Sequence, residues 1–383
     1  MRRYSRLMFA ISLVVPLVGT AQARTAEIPL NDSTILESLP AGPRPIVRTN
    51  ASTPASLPTA LIAARAQLQA AHQQGDPRYL GYAEAQLGPW LNLPEPPTDV
   101  LLLRARLLQA NHRFDPALSD LGRVLKRSPN QPEALLLSAS INQVRGRYSE
   151  ARQACRGLQG LELLPLSLIC QAQLDGVTGQ ARAALTRLQK LPRRNLGLTP
   201  GQSAWLDLGI ADLADRLGET ALTEASLKSA LASGAEAVGA YADWLHAEDR
   251  DAESPALLRP WTAHDGLLMR LARAERTSLP AAFKTHRAEL LRRLAAFRQR
   301  GETGHEREQA LLYLDVLQEP DNALMLARRN WKNQRETADF RVYGRAALAA
   351  NASADLDLLR AWQAQTGFED RRSEAWLRTS GAP

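Results

Sequence analysis

Few side chains in this sequence have the type and spacing that catalysis or metal binding requires. No two of its six histidines stand four residues apart on a helix, where a pair could bind one metal ion, and no H-E-x-x-H motif occurs. The histidines are His72, His112, His246, His264, His286 and His305. Nucleophile-elbow, Walker and dinucleotide-binding motifs are also missing, and carboxylate pairs such as Asp212 and Asp215 are common in helical proteins. The sequence therefore predicts no catalytic residue, no metal site and no cofactor.

The only two cysteines, Cys155 and Cys170, have a spacing that suggests a covalent link. A turn near residues 160–165 lies midway between them, so two antiparallel helices would bring them to the same level. An even cysteine count in an exported chain favours a disulfide. The alternative is two small buried residues where helices cross closely. No C-x-x-C motif indicates a redox role.

Two adjacent 34-residue segments, 98–131 and 132–165, share a helix–break–helix pattern that would position these side chains. Matching residues recur in both, namely Ala105 with Ala139, Phe114 with Tyr148, Ala117 with Ala151, and Leu121 with Cys155. The apolar stripe of each helical hairpin is too wide to bury alone, so hairpins are expected to stack, with alanine where helices cross. In the breaks, Asp115 and Ser149 are predicted to cap second helices, and Gly146 to end a first helix in a left-handed conformation.

This period, with small residues at its eighth and twentieth positions and an aromatic residue before the second helix, resembles the tetratricopeptide repeat family. Trp205, Leu208 and Gly209 add the W-x2-L-G pattern of that family. The resemblance implies an all-α fold, a right-handed superhelical solenoid of antiparallel helix hairpins. Residues 76–83 also resemble a stretch in a group of secreted bacterial proteins with this repeat, which brings no activity with it.

In the tetratricopeptide family, the first helices of successive repeats line a groove that binds extended peptides or partner helices. Carried over by position, the resemblance implies a groove lined by Asp99, Leu102, Arg106, Gln109, Glu133, Leu136, Ser140, Gln143, Ile169 and Gln173. Amide, hydroxyl and charged groups of this kind suit the backbone and carboxylates of an extended ligand. The alternative is that they are only the polar side of each hairpin.

The N-terminus has the pattern of a secretory signal peptide. Arg2, Arg3 and Arg6 precede an apolar run that is too short to span a bilayer, and an A-x-A site predicts cleavage after Ala23. Removal of this segment takes three positive charges from a formal net charge of +7. The remaining bias is mild, so a nucleic-acid partner is not expected. Paired arginines, such as those at 371–372, are interpreted as solvated groups or caps of helix carbonyls.

The chain is thus divided into a signal peptide at 1–23, a flexible linker at 24–55, well-matched repeats at 56–235, and divergent repeats with a C-terminal cap at 236–383. The predicted function is that of a periplasmic or secreted scaffold, without catalysis, whose partner is a protein or extended peptide of the bacterial envelope. Two alternatives remain open. One is a cell-wall-acting enzyme with its site hidden in residues 236–304, and the other is a metal-handling accessory protein.

Overall fold

A computed structural model describes residues 56–74, 78–161, 163–191, 197–299 and 304–379. The predicted signal peptide and linker lie outside these residues. All regular secondary structure in the described ranges is helical. The helices are α1 Leu57–Gln74, α2 Arg78–Leu91, α3 Thr98–Ala110, α4 Phe114–Arg127, α5 Pro132–Val144, α6 Tyr148–Gly157, α7 Leu164–Val177, α8 Ala181–Gln189, α9 Pro200–Leu217, α10 Thr220–Ala230, α11 Ala235–Ala247, α12 Ser254–Leu258, α13 Asp265–Ser278, α14 Pro280–Gln299, α15 Glu306–Leu311, α16 Pro320–Trp331, α17 Thr337–Ala349, α18 Ser353–Thr366 and α19 Arg371–Thr379. A π-helix, Leu312–Leu317, continues α15 directly.

Successive helices pack as antiparallel pairs, which confirms the predicted all-α solenoid of helix hairpins. In the first half the pairs are α1 with α2, α3 with α4, α5 with α6, α7 with α8, and α9 with α10. The first helices also form a row, because α3 touches both α1 and α5, and α7 touches both α5 and α9. Within the described ranges, no helix combines the length and the apolar character needed to cross a membrane.

The small residues of the repeat lie where the sequence predicts them. Ala105, Ala117 and Ala151 are fully buried, and Ala139 is nearly so. A longer side chain at these positions would separate the helix backbones, since protein interiors are close-packed. The close helix pairs of α3–α4 and α5–α6 therefore depend on these alanines.

The signals at the breaks are only partly right. Gly146 has φ of 71°, which confirms the predicted left-handed end of α5. The predicted caps are wrong, because α4 and α6 begin two residues earlier than these caps would imply, at the aromatic residue of each repeat. Asp115 and Ser149 thus lie inside the first turn. Asp115 accepts a hydrogen bond from Arg147 instead.

Cys155 on α6 and Cys170 on α7 are joined as a disulfide, with their Cα atoms 5.7 Å apart. The two helices pack antiparallel across the turn between them. Ser167, one turn before Cys170, donates a hydrogen bond of 2.9 Å to the carbonyl oxygen of Cys155. The bond therefore links the second helix of one hairpin to the first helix of the next.

The last five helices pack back onto the turns of the first hairpins. The amide of Arg335 donates to the carbonyl of Val144 at 2.8 Å, and Gly367 lies directly against Gly179. Earlier in both segments, the ring of His112 lies 5.2 Å from that of His305. Because these contacts follow the same order in both segments, the later hairpins run alongside the earlier ones. We call this line of contacts the seam.

Candidate binding surface

The first helices α3, α5 and α7 bring most of the predicted groove residues onto one row of neighbouring helices. The exposed members are Asp99, Arg106 and Ser140, and the half-buried members are Gln109, Glu133, Leu136, Gln143 and Gln173. Two predicted members are wrong as groove residues, since Leu102 and Ile169 are buried in the core. Both leave their helices on the side that packs against neighbouring helices.

Arg106 and Glu133 connect α3 to α5 on this surface. Arg106 Nη1 lies 3.3 Å from Glu133 Oε1, with 50% and 44% of the side chains exposed. This is an ion pair without hydrogen-bond alignment. Exposed pairs of this kind contribute about 0–1 kcal/mol to stability. Separation of the two charges would therefore cost the fold little free energy.

Gln173 connects α7 to α9 farther along the row. Its Nε2 would lie 3.3 Å from a Cβ added to Gly209, so the glycine of the W-x2-L-G pattern allows the two helices to approach. Glutamine amides both donate and accept hydrogen bonds, as peptide groups do. Gln109, Gln143 and Gln173 thus place one half-buried amide on each of α3, α5 and α7.

A separate group of ion pairs lies at the seam, and the sequence does not predict it. Asp215, at the end of α9, accepts a hydrogen bond of 2.6 Å from Arg341 and one of 2.8 Å from Arg372. Arg372 also caps the carbonyl of Ala247 at 3.1 Å, in line with the capping role predicted for paired arginines. No local pattern distinguishes Asp215 from Asp212, so the sequence does not show these partners.

The side chain of Asp215 is 11% exposed. Burial and the neighbouring charges have opposite effects on its pKa. Burial by itself raises the pKa of this carboxyl. The charges and hydrogen bonds of Arg341 and Arg372 outweigh burial and hold the pKa below its usual range. Asp215 is therefore an ionised anchor of the seam.

Arg216 is fully buried beside this anchor. It donates hydrogen bonds to the carbonyls of Gly176 at 2.9 Å and Glu369 at 3.3 Å, and its guanidinium lies 5.0 Å from the centre of the Phe368 ring. A buried arginine is retained where several acceptors and a ring face replace water. With its additional bond of 3.1 Å to the Asp212 carboxylate, Arg216 links α9 to the end of α7 and to the turn after α18.

The region that the enzyme alternative requires, residues 236–304, contains helices α11 to α14 in its described part. Its most buried histidine contact joins α13 to α14, where His286 Nδ1 lies 2.6 Å from Glu275 Oε2. In the same region, Asp243 bridges Arg270 and Arg273. Among the residues described, no three His, Cys, Asp or Glu side chains are grouped so that they could hold a metal ion.

Comparison with known proteins supports the fold. No protein-family model matches the sequence, and no curated protein matches it. The chain is similar to a solved structure, the "Crystal structure of APC/C hetero-tetramer Cut9-Hcn1", with a TM-score of 0.50 and 13% sequence identity. The match covers 86% of this chain and 64% of that chain. Cut9 is a tetratricopeptide repeat protein, so this chain has a tetratricopeptide-like fold.

Proposed function

We propose that this protein is a tetratricopeptide-repeat scaffold that binds a protein or extended peptide in the bacterial envelope and performs no catalysis. The observation that carries the proposal is the row of exposed and half-buried polar side chains on α3, α5 and α7. In a helix-hairpin array, adjacent first helices present such side chains at regular intervals. A row of this kind pairs with the repeating groups of an extended chain.

An envelope location fits two features of the chain. The N-terminal residues have the charge, apolar core and A-x-A pattern of a signal peptide. The Cys155–Cys170 bond suits an oxidising compartment, because disulfides rarely persist in the bacterial cytosol.

The proposal is tested by affinity capture from envelope extract with the wild type and the double variant Arg106→Glu plus Gln143→Glu. These substitutions place negative charge on α3 and α5, where a ligand carboxylate or carbonyl would bind. We expect the specific partner to be lost, because like charges oppose binding and the glutamine donor disappears.

The matched control is Lys126→Glu plus Gln189→Glu, which makes the same changes of charge at exposed positions of the second helices α4 and α8. It should retain the partner. Equal capture by both double variants would rule out the face of α3, α5 and α7 as the binding surface.

A further inference from the structure

An open cleft of about 370 Å³ lies where α11, α13, the π-helix and α17 meet. Its lining includes the cationic side chains of Arg276 and Arg345 and the apolar side chains of Leu314, Leu348 and Ala349. This volume falls within the range of small-molecule sites, which combine an apolar wall with a few polar groups. The cleft is separate from the face of α3, α5 and α7.

The π-helix explains why an arginine is held at the cleft wall. In this helix type, the carbonyl of Asp315 would accept from the residue five positions later, which is Pro320 and has no N–H. The amide of Glu319 is also unavailable, because it donates to Tyr313. Arg276 supplies the donor that the helix backbone lacks, since its Nη1 donates to the Asp315 carbonyl at 3.1 Å.

The cations of the cleft are unequally neutralised. Arg345 pairs with the Asp315 carboxylate, and Arg273, only 4% exposed, pairs with Asp243 at 3.0 Å. Arg276 differs from both, since its bond to the Asp315 carbonyl is its single hydrogen bond. In the part of the chain that the structure describes, it forms no ion pair at close range, and the Asp251 carboxylate acts on it only from a longer distance. A guanidinium has five N–H donors, so Arg276 keeps most of its donors for a ligand.

The apolar part of the cleft lies next to this cation. Leu348 is 44% exposed, and the neighbouring Ala349 is exposed as well, so two consecutive apolar side chains of α17 are open to a ligand. Leu348, Leu314 and Ala349 form the apolar part of the lining of the same cleft that Arg276 and Arg345 line. A ligand that satisfies both parts is an anion attached to an apolar group.

We propose that this cleft binds a carboxylate attached to an apolar group of about the size of a leucine side chain. The carboxylate pairs with Arg276, where planar bidentate geometry favours carboxylates, and the apolar group covers Leu314 and Leu348. Such a carboxylate occurs in a free small acid and at the last residue of a polypeptide.

The test is titration of the full-length protein by isothermal calorimetry with N-acetyl-leucine and with N-acetyl-leucinamide. The two probes share the apolar group and differ in the carboxylate. We expect the acid to bind and the amide to bind at least about tenfold more weakly. Equal binding of the two probes, or no binding of the acid at about 10 mM, would overturn the proposal.

Variants locate the site. Arg276→Gln should weaken binding of N-acetyl-leucine about tenfold, whereas Arg329→Gln, an exposed arginine of α16 outside the cleft, should not change it. Leu348→Ser should weaken the same ligand severalfold, since it removes part of the apolar wall. If the Arg276 and Leu348 variants both bind like the wild type, the ligand lies elsewhere and the proposal is wrong.

The source of the carboxylate is determined by a second pair of probes, octanoate and a short peptide that ends in leucine with a free carboxylate. Tighter binding of the peptide than of octanoate and N-acetyl-leucine identifies a polypeptide C-terminus. Equal or tighter binding of the free acids identifies a small-molecule ligand. Either result supports the site only if Arg276→Gln weakens binding of the probe that binds more tightly.

Discussion

At the scale of single residues, we expect the largest contributions to stability from ion pairs between residues that are far apart in the sequence. Asp215 lies 126 positions from Arg341 and 157 positions from Arg372. Its removal would leave two arginines at the seam with fewer partners, and breaking a buried ion pair costs more than the pair contributes. Exposed pairs along one helix, such as Arg360 with Asp357, contribute little by comparison.

We expect Asp215→Asn to lower the free energy of unfolding by about 2–3 kcal/mol at pH 7. The folded-state pKa of Asp215 is depressed, so its contribution is present above the unfolded pKa of about 3.9 and is lost as pH falls through the folded pKa. The difference between variant and wild type should therefore shrink below about pH 4. Urea unfolding of variant and wild type at pH 7 and below about pH 4 measures this difference. The control is Asp357→Asn, which should change stability by less than about 0.5 kcal/mol.

The disulfide gives a second prediction at this scale. Reduction should lower stability by about 3 kcal/mol, the value expected for a closed loop of this length. Urea unfolding with and without reductant measures the change, and Cys155→Ser should show at least this loss without reductant, because it also buries a hydroxyl at a fully buried position. Thiol labelling of both cysteines in denatured, unreduced protein would contradict the bond.

At the scale of helices and turns, the solenoid depends on glycines where two turns meet. Gly179 and Gly367 have φ of 83° and 72°, a left-handed conformation that other residues rarely adopt. A Cβ added to Gly367 would lie 3.0 Å from the Cα of Gly179. The α7–α8 turn and the α18–α19 turn can therefore touch only because Gly179 and Gly367, which meet there, have no side chains.

Gly367→Ala should lower stability by about 1–3 kcal/mol, because it adds strain at positive φ and a collision with rigid backbone. The matched control is Gly122→Ala within α4, where a Cβ meets no atom within 4 Å. That substitution should stabilise by up to about 1 kcal/mol, since alanine favours the helix. Thermal unfolding of both variants measures the difference. Similar unfolding temperatures of Gly367→Ala and Gly122→Ala would show that the contact between the two turns does not contribute to stability.

At the scale of the whole molecule, the seam joins the last helices of the array to the turns of earlier hairpins, from the α3–α4 turn at His112 to the end of α11 at Ala247. The later hairpins lie along the turns of the earlier ones, so their contacts link the N-terminal and C-terminal halves. Arrays of repeats usually have contacts only between neighbours. Here the seam should make unfolding of the two halves more cooperative.

The double variant Arg341→Gln plus Arg372→Gln should loosen the seam while leaving the hairpins folded. We expect faster hydrogen exchange at the Arg335 amide, which donates to Val144 across the seam, and in the turn at residues 144–147. Exchange measured by mass spectrometry tests this, with Arg329→Gln as the control. Unchanged protection in the double variant would mean that the seam does not hold the halves together.

The sequence by itself determined the local architecture. Helix pairs, the buried alanines and the left-handed Gly146 follow from the spacing of apolar, small and glycine residues, because helical periodicity is a property of neighbouring residues. The exact helix starts were less predictable, since an aromatic residue can begin a helix that an Asp or Ser would otherwise cap. The groove was predicted in large part, but Leu102 and Ile169 were misplaced, because a family position does not fix which side of a helix is packed.

Only the tertiary structure decided which distant parts of the chain meet. The small rotation between successive hairpins accumulates until later hairpins return to the turns of earlier ones, and no local pattern records that sum. The partners of Asp215, the contact of Gly179 with Gly367, and the cleft around Arg276 all arise in this way. Local spacing determined that this protein is a helix-hairpin array, and the accumulated rotation of the array determined how it closes on itself.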